Sequence, residues 1–575
     1  MKILKASILL VASMSILFFS FVAFRPNNTP TYPKAEDFPI TMCGAAFRAG
    51  LNFDAPVSLI PGLGDLHYRI TTRDSAAQKF FDQGLRLIYG FNHVEALRAF
   101  KEASRLDPSC AMAWWAQALT LGPNINDWNP KDREAMALQA ITKAKELSVG
   151  TNQANQKEKD FILALALRYD GNVHDDRSAL NNAYFEAMQK LSKKYPNDPE
   201  ALVLYADAIM TSMPWDYWNK DGSPKPLTSL ARTSLELAMK KYPRHPGAHH
   251  MYIHLVEASA KPGDANKSAE FLETAMPAAG HIVHMPSHIY VRTGEYERAN
   301  NVNRLAIKAD EEFLSRTDDQ GMYRFGYYPH NIDFLSYGAL MNGQSAVAIT
   351  ESNKLAYQMK SLQSSIPVYY DYFTSMPLFA FVRYGKWNEI LALPAPDDRL
   401  YHLSAIHRFA RGTAFIRSSK LDEAKLELAR LDSLHHLDTL KSVAVLFNTA
   451  EQISKVAVQL LKGEVLIADG KVDDGIVALR SAVEAEDALR YNEPQDWRLP
   501  TRHFLGAALF EAARYEEAQK VYEADLLANP ENGWSLRGLA NCQQKMGKTA
   551  DLARTVKRLE RAWNKADITI MSSRF

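Results

Sequence analysis

A set of small residues recurring at fixed spacing constrains this chain more than any other feature. Gly84, Ala96, Phe100 and Ala103 are followed by Pro108. Gly506, Ala518 and Tyr522 repeat the spacing before Pro530, with Asp525 where the first copy has alanine. Gly412 and Ala424 fit the same frame, as do the turns Thr293-Gly294-Glu295 before Ala299 and Asn342-Gly343-Gln344 before Ala348. Small residues let two antiparallel helices touch, and the proline stops the second helix before the next unit begins. Such a unit cannot bury its apolar face alone, so copies stack into a solenoid. A chain of 575 residues exceeds what one core serves and suits such an array.

These positions resemble the tetratricopeptide (TPR) pattern, which implies an all-α, TPR-like α-solenoid over residues 75–575. At a period near 34 residues that is roughly a dozen helical hairpins. Residues 26–74, rich in Pro, Gly and Asn, read as a linker and irregular N-terminal cap. Residues 6–24, ASILLVASMSILFFSFVAF, carry no charge and follow Lys2 and Lys5. They predict either a signal peptide or an uncleaved membrane anchor within residues 1–25, with the body exported to a periplasmic or cell-envelope location. The cysteines Cys43, Cys110 and Cys542 permit one disulfide, Cys43–Cys110 being the best candidate. With 67 Lys+Arg against 66 Asp+Glu, the charge argues against a broad nucleic-acid surface. No Gly-rich phosphate loop, GxSxG elbow or HExxH pair is present.

The chemistry-bearing feature is a run of histidines at 249–330. In HPGAHHMYIHLVEAS, His250, His254 and Glu257 are spaced i, i+4, i+7, which is one helical face. In HIVHMPSHIYVRTG, His281, His284 and His288 are spaced i, i+3, i+7. In YYPHNIDFL, His330 opens a third helix. The repeat frame places these faces on three consecutive first helices, whose inner positions line a concave groove. Neutral imidazole is the commonest protein ligand for late transition metals, and Glu257 completes a mixed shell or orients a ligand. The set His250, His254, Glu257, His281, His284, His288 and His330 is therefore read as a transition-metal site for copper, zinc or iron. Six imidazoles exceed the needs of one ion.

An internal comparison separates these histidines from the scaffold. HMPSHIYVRTG at 284–294 matches SMPLFAFVRYG at 375–385, and in that copy Tyr372, Ser375 and Phe379 replace His281, His284 and His288. Pro286 and Pro377 should each kink their helix. His93 reads as a local cap, and Glu493, Trp497 and Arg502 as a structural polar corner with His503 at an inner position. Asn124 and Asn126 fall in an inter-repeat loop. Tyr327, Tyr328, Tyr369, Tyr370 and Tyr372 put aromatics near the histidines, and the pair His435-His436 reads as surface.

Taken together, FFDQGLRLIYGFNHVEALRAFKEASRLDPSCAMAWW, HMPSHIYVRTG, YYPHNIDFL and YNEPQDWRLPTRHFLGA resemble a family of exported bacterial TPR proteins. The resemblance implies a fold and an export route and supplies no catalytic residues. Two functions stay open at this level. One is a metal centre acting on a small-molecule substrate. The other is a non-catalytic scaffold that takes a peptide or exported protein in its groove, where Arg292 and Arg383 add positive charge.

Overall fold

The computed structural model describes residues 54–149, 154–317 and 321–575. The apolar segment at 6–24, and Cys43 with its expected disulfide, lie outside the described residues. Cys110 and Cys542 are both buried thiols. Among the described residues, no helix is long and apolar enough to cross a membrane.

The chain folds as antiparallel helical hairpins in series, from Ser75–Tyr89 with His93–Leu106 to Gly533–Lys545 with Thr549–Ala562. The first hairpin shows why. Asp74 accepts from the Ala76 and Ala77 amides and starts the first helix. Gly84 lies flat against the Phe100 ring, where a Cβ would sit 2.5 Å from a ring carbon. Ala96 and Ala103 are fully buried beside it. Gly506 meets the Tyr522 ring in the same way near the C-terminus. Gly294 and Gly343 take the left-handed backbone that ends their helices, at φ 83° and 79°, a conformation only glycine adopts without strain. Asn92, whose side chain accepts from the Glu95 amide, is the cap expected of His93.

The three histidine segments fall on successive first helices: Pro246–Val256, the pair Gly280–His284 and Pro286–Thr293, and Tyr328–Asn342. Pro286 breaks the second of these at Met285, as Pro377 breaks its counterpart at Ser375. The inner faces do not line an open groove. Elements distant in sequence fill it, because the superhelix closes on its own middle. From one side, residues 54–74 form an irregular strap: Ala278 donates to the Gly62 carbonyl at 3.0 Å and Thr71 donates to Glu158 Oε1 at 2.6 Å. From the other side, Trp534 Nε1 donates to the Leu340 carbonyl at 2.8 Å. Asp567 accepts from the Ser345 and Ala346 amides at 2.7 and 2.9 Å, capping a helix that has no cap of its own. Arg498 reaches Asp333 at 2.6 Å, both side chains being buried.

Trp534 is fully buried and carries Arg383 over one face at 4.7 Å, so it anchors this closure. Trp534→Ala should destabilise the protein by about 3–5 kcal/mol, from lost packing and an orphaned carbonyl. The loss should appear as a lower urea midpoint. A shift worth under about 1 kcal/mol would mean that the C-terminal helices do not hold the middle of the chain.

Candidate metal centre

The cluster is built from the inner ends of these three helices. His250, His281 and His284 are 0% exposed and His288, the most open, only 3%. Three sets of ligand atoms lie within 4.8 Å of one another: His250, His254 and His281; His284, His288 and His330; and Glu257, His288 and Glu493. Every metal-ligand candidate of the sequence thus enters one enclosed cluster. His249 points away, to Ser268 and the Pro243 carbonyl.

The outer ring nitrogens set the inner ones. His250 Nδ1 lies 2.6 Å from the Tyr89 carbonyl, which can only accept, so Nδ1 carries the proton. His254 Nδ1 is 3.2 Å from Glu257 Oε1. His284 Nδ1 is 2.6 Å from Asn303 Oδ1, and the Asn303 amide is oriented by donating to the Ala299 carbonyl at 2.8 Å. His288 Nδ1 sits between two carboxylates, 2.5 Å from Glu257 Oε2 and 2.7 Å from Glu493 Oε2. The Nε2 atoms of His250, His254 and His284 therefore present lone pairs inward. Metal-binding histidines are held in this way, the second ring nitrogen donating to a carboxylate or carbonyl.

Inside, His284 Nε2 and His330 Nε2 face His288 Nε2 at 2.9 and 3.4 Å. An ion ~2.0–2.1 Å from each nitrogen holds tetrahedral donors ~3.3 Å apart, and the observed spacings bracket that value. His250 Nε2, His254 Nε2 and both nitrogens of His281 are buried without a hydrogen-bond partner. A buried polar atom left unpaired costs about 1–3 kcal/mol, so these four atoms on three neighbouring rings call for a shared ligand.

Aromatic rings wall the cluster. Phe91 stacks on His254 with centroids 5.7 Å apart and 2° between planes, and lies 5.3 Å from His281. Trp215 sets its edge 5.0 Å from His254. Phe334 packs on His284, His288 and His330 at 4.7, 4.6 and 4.9 Å. Tyr327 lies 4.5 Å from His281 and accepts from Asn126 at 3.2 Å. Phe91 and Trp215 hold left-handed backbone, at φ 55° and 59°. Non-glycine residues kept in that region cluster at functional sites.

Glu493 corrects an expectation: it belongs to the cluster, against His288, and not to a structural corner. The other members of that proposed corner are elsewhere. Trp497 is core, donating to the Leu499 carbonyl, Arg502 pairs with Asp487 at 2.6 Å, and His503 meets Asp525 at 3.0 Å. Of the five tyrosines singled out in the sequence, Tyr327 is the one whose ring packs on the cluster, against His281. Phe91, Trp215, Asn303 and Glu493 were not legible as site residues, since none shares a periodic face with the histidines.

Burial sets the charge states. Aided by neighbouring imidazoles, it drives His250, His281, His284 and His330 well below the ordinary histidine value, leaving them neutral and able to ligate. Burial opposes charge on His288 too, but Glu257 and Glu493 outweigh it and hold His288 up to about 10. Against the pull of burial, His288 and His254 hold Glu257 down to about 2. Burial and the charge of Glu257 push Glu493 up to about 7.

No family model and no curated protein matches the chain. Among solved structures it is similar to a human IFIT1 dimer with m7Gppp-AAAA, at 14% identity and TM-score 0.30, covering 87% of this chain and 92% of that one. A monomeric IFIT1 mutant with Gppp-AAAA gives 14% identity and TM-score 0.30, covering 86% and 91%. The overlap is loose, so the site is read from its own residues. Fold and site together define an all-α helical-repeat protein that encloses a histidine cluster.

The charge states predict acid lability of the metal-free protein. Unfolded imidazoles titrate near 6.5, so below that pH the unfolded chain binds protons that the folded chain refuses, and stability falls as pH falls. Glu257 adds stability that is present above its ordinary 4.5 and lost as pH drops toward 2. His288 runs the other way, contributing stability that is full below 6.5 and lost as pH rises through about 10. Glu493, held up to about 7, opposes this because the folded chain takes up its proton first as pH falls toward 4.5. The neutral histidines outnumber it, so the unfolding free energy from urea titration should fall from pH 7 to 5, by up to about 1.4 kcal/mol per pH unit for each neutral buried histidine. A flat profile would mean that the folded cluster accepts those protons.

Proposed function

We propose that this protein is a metalloprotein whose enclosed histidine cluster binds a transition metal ion and presents it to a small substrate. The observation behind this reading is the set of inward Nε2 lone pairs on imidazoles whose outer nitrogens are tied to fixed acceptors. The donors are neutral nitrogens, which suit copper, zinc or iron and not calcium or magnesium. Three protein ligands on an ion leave a position open for water or substrate, and such an ion lowers the pKa of bound water to ~7. Glu493, pushed up to about 7 beside His288, is placed to give or take a proton near neutral pH. Full burial restricts what reaches the cluster to a small molecule. A peptide lying along an open groove has no access to these side chains, and that favours the metal reading over the scaffold one.

Elemental analysis of protein purified without chelator or histidine tag tests the proposal. The wild type should carry stoichiometric copper, zinc or iron, and a His254→Ala/His284→Ala double variant should lose it. A wild type that arrives metal-free and fails to take up added zinc, copper or iron would remove the metal reading and leave the scaffold.

A further inference from the structure

We infer that the cluster is built for two ions, one per histidine triad, with Glu257 orienting a ligand of each; this rests on the metal reading above. Six imidazoles are too many for a tetrahedral ion, which takes four ligands. They divide by position into His250, His254 and His281 on one side and His284, His288 and His330 on the other. Each triad has its own aromatic wall, Phe91 on the first and Phe334 on the second.

Glu257 ties the two together. One carboxylate oxygen lies 3.2 Å from His254 Nδ1, in the first triad. The other lies 2.5 Å from His288 Nδ1, in the second. A single side chain thereby meets one ligand of each set, by a hydrogen bond to His254 and an ion-pair contact with His288. The triads adjoin through the same pair, whose ring centroids are 5.6 Å apart.

The same geometry argues against a third ion among Glu257, His288 and Glu493. That set would ligate through His288 Nδ1, the nitrogen whose proton faces both carboxylates. An ion there would have to replace that proton and take the ring that the second triad uses, although His288 Nδ1, Glu257 Oε2 and Glu493 Oε2 are themselves buried without a hydrogen-bond partner. Glu257 and Glu493 are thus positioning residues. Each ion then has three imidazole nitrogens and an open position for water, hydroxide or a small substrate, His288 joining its set by releasing the Nε2 proton while Nδ1 keeps the one that faces the carboxylates. Late metals such as zinc or copper are favoured over oxygen-seeking ones.

Zinc(II) is the probe. Metal-stripped protein, titrated calorimetrically and analysed for bound zinc after desalting, should bind two equivalents. His250→Ala/His281→Ala and His284→Ala/His330→Ala should each retain one. Glu257→Gln should keep both while weakening each by ~10–100-fold, as loss of an outer-shell partner does. One equivalent in the wild type, abolished by either pair of substitutions, would overturn the two-ion reading and leave the metal centre standing. No binding at all would overturn both. The wild-type stoichiometry needs no variant, so it decides even if a variant fails to fold. X-ray absorption of the loaded wild type should add a shell of about three nitrogens per zinc at ~2.0–2.1 Å; a carboxylate-dominated shell would overturn the assignment of ligands.

Discussion

Tying the outer nitrogens of His250, His254 and His284 to fixed acceptors is the interaction on which the cluster depends. Six rings in a dry interior would otherwise be free to flip, to share protons or to drive the helices apart. The Tyr89 carbonyl is part of a helix backbone, Asn303 is locked by its own bond to Ala299, and Glu257 is pinned between two rings. These acceptors come from three different hairpins. The orientation of the lone pairs is therefore a property of the packed superhelix and not of any one helix.

Closure of the superhelix is what makes that packing possible. An open solenoid would leave these histidines wet, with ordinary titration and a loose geometry. Here the first hairpin supplies Tyr89 and Phe91, the C-terminal region supplies Glu493, and both reach the central helices across the interior. Burial neutralises the imidazoles, while the two carboxylates confine the positive charge to His288. The result is a nitrogen-lined space of low dielectric in which an ion's field is little screened.

Much of this was legible in sequence. The small-residue frame gave the hairpins, the spacings i, i+4, i+7 and i, i+3, i+7 put the histidines on common faces, and the prolines at 286 and 377 marked the breaks. Enclosure was not legible. Periodicity describes each hairpin against its neighbour and says nothing of how far the superhelix turns before its ends meet. Glu493 lies in an irregular segment with no period at all, and Phe91 owes its place to a left-handed backbone that ordinary propensity disfavours. Asn303 faces inward from the second helix of its hairpin, where a polar residue reads from sequence as solvent-facing.

The second copy of the Met-Pro motif shows what this scaffold does when no ligand is called for. At the register of His281, His284 and His288 it carries Tyr372, Ser375 and Phe379, all buried. There the Tyr372 hydroxyl donates to Asp496 at 2.9 Å, Ser375 Oγ donates to the Tyr372 carbonyl at 2.7 Å, and Phe379 packs on Trp497 at 5.3 Å. Both hydroxyls find a protein partner and the third position is apolar. The same kinked helix thus folds with its inward face satisfied by ordinary means. The histidine copy instead buries both His281 nitrogens without a partner, beside the unpartnered Nε2 atoms of His250 and His254. Folding does not require that cost of about 1–3 kcal/mol per atom, since the second copy avoids it. On the proposed metal reading, an ion at the cluster would offset part of it, because each inward lone pair would then become a metal bond.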